Sequence, residues 1–265
     1  MLVLDIDDTL VNSHNEISKE NYNSLMKLQE AGYILVLASG RPAESMVDTA
    51  RYLKLDKFNS YIISYNGAAI VRMKDEKYVF THALEESEQD KIVDYIHGKG
   101  LSALTYYQGT IIYSRENDYS HIESELVGLP DRLDPDFFNN LPGPMLKFMG
   151  VGDPAIAIAC EDELGGKFGE STYTTTSKPF YLEFMHDKVS KGDTLKILAE
   201  MLEIPIEEVI AVGDGKNDLT MIEKAGLGVA VENAHPELKE AADHLTLSND
   251  DHGVSEVVEA FFFND

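Results

Sequence analysis

The chain has 265 residues and a formal charge of -25 at pH 7, a balance that repels nucleic acid and anionic membrane, so neither is expected as a partner. With 43% hydrophobic residues in regular apolar segments it reads as a folded protein, and its single cysteine, Cys160, cannot form an internal disulfide, which fits a reducing cytoplasm. No apolar stretch approaches the roughly 20 residues that span a bilayer, and the first residues are acidic where a signal peptide would be basic, so a soluble protein is expected.

LVLDI at 2–6 reads as a buried strand, and ISKENYNSLMKLQEAG at 17–32 as a helix, with Tyr22, Leu25, Met26 and Leu28 near helical spacing and Gly32 at its stop. YILVLAS at 33–39 is a second strand, Pro42 suits the first turn of the following helix, and YIIS at 61–64 is a third strand. This alternation predicts a parallel sheet with crossover helices. From about Tyr78 to Phe184 the segments YVFTH, LSALTYY, TIIYS, LKFMGV, STYTTT and FYLEF are rich in β-branched and aromatic residues, with the helix EESEQDKIVDYIHG among them. Pro130, Pro135, Pro142 and Pro144 mark long loops there, and Cys160 lies on a helix as a small packed thiol. The opening grammar then returns: helix KGDTLKILAEML, strand EVIAVGD, helix NDLTMIEKAG, strand GVAV, and helices HPELKEAAD and HGVSEVVEAFFF. The fold expected is α/β, a doubly wound and mostly parallel sheet over 1–78 and 186–265, with an inserted α+β domain over 79–185.

Asp5 and Asp7, two apart at the end of the first strand, should project together from its carboxyl edge, where open α/β sheets bind ligands. Two carboxylates that close need a cation, and a hard, oxygen-ligated ion such as Mg²⁺ suits them. GDGKND at 213–218 follows another strand and would bring Asp214, Asn217 and Asp218 to the same edge. Lys191 opens a helix, where the dipole disfavours a cation, so a bound anion would explain its place. Ser39 and Gly40 stand between a strand and a helix start, where free backbone N–H groups can take phosphate oxygens. GDGKND lacks the third glycine of a dinucleotide fingerprint, DIDDTLVNSHNE lacks the glycine and preceding helix of an EF-hand, and the eight histidines show no zinc spacing.

DIDDT, SGRP, the isolated Lys191 and GDGKND, in that order, resemble the four motifs of the haloacid dehalogenase-like superfamily, in particular its aspartate-nucleophile phosphatases. The insert between YNGAAI and VSKGDTL resembles the α/β type II cap of the Cof-type branch. The resemblance implies a cytoplasmic, Mg²⁺-dependent hydrolase of small phosphorylated metabolites, such as sugar phosphates, with Asp5 as nucleophile and Asp7 as acid/base. Asp5, the Asp7 carbonyl and Asp214 would bind the metal, with Asp218 as support or ligand. Ser39, Lys191 and Asn217, with the backbone of Ile6 and Gly40, would hold phosphoryl oxygens. Arg41, Asn66 and, in the insert, Tyr173, Tyr181 and Glu183 are candidates to touch the leaving group, and the insert is expected to close over the site and select the substrate. A phosphotransferase or phosphomutase using the same aspartate is the alternative. A receiver-type signalling module fits worse, because its phosphorylated Asp ends a later strand. One departure stands out: Asp8 occupies the place where the commonest first motif of the family has glycine.

Overall fold

A computed structural model describes residues 1–263. The chain forms two compact units, Met1–Phe80 with Ser190–Asp265, and Thr81–Val189. Among the described residues no helix is long and apolar enough to cross a membrane.

The first unit is built on an eight-stranded sheet in the order His244–Leu245, Leu227–Ala230, Ile210–Gly213, Leu2–Leu4, Leu35–Ala38, Tyr61–Ser64, Ala69–Arg72, Lys77–Thr81. The first six run parallel, with Leu2 opposite both Ile210 and Leu35, and Ala69–Arg72 turns back antiparallel on Tyr61–Ser64. Leu2–Leu4, Leu35–Ala38 and Tyr61–Ser64 are buried at every residue, as central strands covered on both faces must be, which is why they are apolar runs without alternation. From Leu2–Leu4 the chain winds first to one side, through Leu35–Ala38 and Tyr61–Ser64. It returns on the other, through Ile210–Gly213 and Leu227–Ala230. The strand order therefore reverses at the first strand, the place at whose carboxyl end open α/β sheets bind ligands. Helix Lys19–Glu30 begins at Ser18, whose hydroxyl accepts from the N–H of Asn21, and packs on helix Gly253–Val258, with Ser24 and Ser255 hydroxyls 2.7 Å apart.

The second unit is a seven-stranded sheet in the order Lys167–Phe168, Thr172–Lys178, Tyr181–His186, Phe148–Val151, Ser102–Tyr107, Thr110–Tyr113, Asp131–Leu133, antiparallel except for the last pair. Helices Glu86–Gly98 and Pro154–Leu164 cover one face, where Ile92, Ile96, Ala157 and Cys160 meet Phe148, Leu182 and Phe184. The opposite face packs Leu104, Met149 and Tyr181 against Tyr119 and Ile122.

Several elements differ from expectation. The junctions expected after residues 78 and 185 fall after Phe80 and Val189, because Lys77–Thr81 extends the first sheet as its edge and Tyr181–His186 runs to its end in the second. The proline-marked loop contains a strand, Asp131–Leu133, that pairs in parallel with Thr110–Tyr113. Ala69–Arg72 and His244–Leu245 are strands that the periodicity did not single out.

Candidate active site

Strand Leu2–Leu4 stops one residue short of its neighbours, and the N–H of Asp5 makes the last rung, to the carbonyl of Val212 at 3.0 Å. The chain then coils through a tight turn, Ile6–Leu10, in which Asp8 has φ 57°. That left-handed conformation suits glycine best and tolerates aspartate better than most residues, which accounts both for the usual glycine at this place and for Asp8 in its stead. The Asp8 carbonyl accepts from Asn233 Nδ2 at 2.7 Å, which holds the turn.

The strand-end geometry separates the two carboxylates expected to project together. Asp5 is buried, whereas Asp7 lies in the turn, half-buried, and takes a two-pronged ion pair from Arg41: Nε to Oδ2 at 2.9 Å and Nη2 to Oδ1 at 2.6 Å. The reason is that the strand ends at Leu4, so the two-residue alternation does not reach Asp7.

Asp5 instead meets residues some two hundred positions away. Lys191 Nζ donates to Asp5 Oδ1 at 2.6 Å and to Asp218 Oδ1 at 2.5 Å, and all three side chains are buried. Two carboxylates thus meet the lysine at the helix start. Asp218 is occupied at both oxygens, since its Oδ2 accepts from the N–H of Asp214 at 3.1 Å and of Gly215 at 2.9 Å. Asp214 Oδ1 accepts from the buried Thr9 hydroxyl at 3.1 Å. Carboxylate oxygens of Asp5, Asp214 and Asp218 all lie within 4.8 Å of one another.

One ammonium among three carboxylates leaves the pocket short of positive charge. Burial raises the Asp5 carboxyl well above the ordinary carboxylate range and the charge of Asp218 adds to this, while Lys191 works the other way. Burial, then Asp218, lifts Asp214 to about 6. Burial disfavours the charge of Lys191, but Asp218 and Asp5 outweigh it and hold its pKa above the ordinary value.

The second strand delivers Ser39, buried, whose hydroxyl accepts from the N–H of Arg41 at 3.2 Å, with Gly40 beside it. Pro42 precedes helix Ala43–Tyr52 as its cap residue. Asn217 is exposed on the turn Lys216–Asp218 and donates from Nδ2 to Asn66 Oδ1 at 3.1 Å. Ile6 is buried, with its carbonyl taken by the N–H of Val11. In the second unit, Tyr181 and Glu183 are buried, Glu183 Oε1 sits 2.8 Å from Lys147 Nζ, and Tyr173 is exposed. Sequence reasoning missed the grip of Arg41 on Asp7 and of Thr9 on Asp214. The only available signal was their place inside SGRP and DIDDT, since neither pairing follows from spacing.

The profile of the haloacid dehalogenase-like hydrolase family matches residues 2–258. The chain is 30% identical to YxeH of Bacillus subtilis, over 97% of this chain and 96% of that protein. It is 28% identical to phosphatase YwpJ of the same organism, over 97% and 98% of the two chains. A crystal structure of a haloacid dehalogenase-like hydrolase from Bacteroides thetaiotaomicron superposes with a TM-score of 0.92 at 37% identity, covering 98% of each chain.

Proposed function

The chain belongs to the haloacid dehalogenase-like hydrolase family and is an enzyme of that family, and from this premise we propose that it is a Mg²⁺-dependent phosphatase of small phosphate monoesters, acting through an aspartyl-phosphate on Asp5. The observation that carries the reading is the buried Lys191 bridge, which ties the carboxylate after the first strand to the GDGKND turn at one sheet edge.

An Asp5 oxygen attacks phosphorus, the phosphorus–oxygen bond to the leaving alcohol breaks, and Asp7 gives that oxygen its proton. Asp7 then takes a proton from water as the water attacks the phosphoryl group, which frees Asp5 and releases inorganic phosphate. Arg41 orients Asp7 through both carboxylate oxygens. Lys191 aims the Asp5 carboxylate and favours its ionised form against burial, and with Ser39, Asn217 and the backbone of Ile6 and Gly40 it would hold the phosphoryl oxygens, since such transfer depends on alignment and charge neutralisation.

The donor set fits a hard divalent ion: three carboxylates share one ammonium within a few ångströms, and the raised pKa values of Asp5 and Asp214 register the missing charge. Asp5, the Asp7 carbonyl and Asp214 would hold Mg²⁺, with Asp218, already engaged at both oxygens, as their support. When bound, the ion would offset the repulsion between the carboxylates and the incoming phosphoryl group.

A panel of phosphate esters assayed with Mg²⁺ and with a chelator tests this reading. Turnover is expected only with the metal and is expected to fall by several orders of magnitude in Asp5→Asn, with the fold unchanged by circular dichroism. An Asp5→Asn enzyme of normal activity would remove the nucleophile from the scheme.

A further inference from the structure

Tyr65, Asn66 and Gly67 have positive φ in succession, 52°, 55° and 108°. Glycine adopts such angles freely and asparagine often, but a buried tyrosine does so only where its surroundings hold it. Here they do. The N–H of Tyr65 donates to the Arg41 carbonyl at 2.9 Å, and that of Asn66 to the Ser39 carbonyl at 3.0 Å. The Thr194 hydroxyl donates to the Gly67 carbonyl at 2.6 Å, and a Cβ on Gly67 would fall 2.4 Å from the Ser190 carbonyl oxygen. The turn is therefore fastened to the SGRP loop on one side and to the start of the Lys191 helix on the other.

The Asn66 side chain reaches the third loop. Its Oδ1 accepts from Asn217 Nδ2 at 3.1 Å and lies 2.9 Å from where a Cβ on Gly40 would stand. A hydrogen bond to an exposed amide adds little to stability in water, so this one does little for the fold itself.

We infer that Asn66 is a positioning residue that fixes the Asn217 amide beside Gly40, so that both loops meet phosphoryl oxygens already in register. The inference rests on the function proposed above. Without this bond, the exposed Asn217 side chain would have to be ordered by each substrate as it binds, at an entropic cost in affinity.

The test uses Asn66→Gly, which keeps the left-handed backbone accessible and removes the amide. With p-nitrophenyl phosphate and Mg²⁺, KM and the Kd for inorganic phosphate are expected to rise about tenfold, kcat to change much less, and the thermal midpoint to stay in place. On an Asn217→Ala background the same change should have almost no further effect. Unchanged KM and phosphate affinity in Asn66→Gly would overturn the inference. So would equal losses with and without the Asn217 amide, or losses that track a falling thermal midpoint. A wild-type protein that neither hydrolyses phosphate esters nor binds phosphate would overturn the proposed function itself, and this outcome is seen without any Asn66 variant.

Discussion

Lys191 brings one positive charge into a buried pocket with three carboxylates, and it touches two of them. Removing it leaves Asp5 and Asp218 buried without a counter-charge, so Lys191→Met should cost about 3–5 kcal/mol in metal-free buffer, read from urea unfolding. If the proposed function holds, addition of Mg²⁺ should return part of that loss, since the bound ion would supply the missing charge. Asp8 offers a test of backbone over charge. Its φ of 57° tolerates glycine, so Asp8→Gly should leave stability nearly unchanged. Asp8→Val, with a branched side chain in the same conformation, should cost about 1–2 kcal/mol in the same unfolding assay.

Elements place these residues by how closely they approach one another. The helix Lys191–Met201 lies against the turn that opens helix Leu219–Lys224, and Gly192 is the point of approach: a Cβ there would stand 2.1 Å from the Thr220 carbonyl oxygen. The Gly192 N–H also donates to the Thr220 hydroxyl at 3.1 Å. Gly192→Ala should therefore push the helix away, costing about 1–3 kcal/mol in unfolding free energy and lowering turnover as Lys191 moves from Asp5. In the same unit Phe262 and Phe263 pack on the core, with the Phe262 and Tyr33 ring centroids 4.9 Å apart. Short strands were harder to read. His244–Leu245 is two residues long and Ala69–Arg72 carries no alternation, so neither has a period to detect.

Over the whole molecule, charge governs the response to pH. Carboxylates take up protons as the solution approaches the sequence pI of about 4.5, so turbidity should peak there as repulsion between molecules vanishes. The second unit should loosen before that point. Burial, with His186 and Lys188 adding to it, lowers the pKa of His82, and burial with Arg115 lowers that of His97. Their stabilising effect is complete above the ordinary histidine value of 6.5 and is lost as pH falls through the depressed ones. Burial opposes ionisation of Glu88, but bonds from the Thr172 hydroxyl, the Glu170 N–H and Ser171 prevail and lower its pKa, so its contribution is complete above the ordinary value of 4.5 and is lost only below it. As the two histidines take up protons, hydrogen-exchange protection of helix Glu86–Gly98 should fall as pH drops from about 7 to about 5. Constant protection across that range would contradict the assignment of these groups.

By itself the sequence determined the class of fold and which carboxylates stand at the ends of its strands. Continuous apolar runs dictate buried parallel strands, and carboxylates placed directly after such runs must emerge at a sheet edge. It could not decide which of those groups meet. Asp5 and Asp7 are neighbours in the chain yet part at the strand end, one to Lys191 and the other to Arg41, while Asn66 and Asn217 lie 151 positions apart and share a hydrogen bond. Hydrophobic patterning is local and survives in one dimension, whereas ion pairs and amide contacts depend on which loops the tertiary packing brings within about 3 Å.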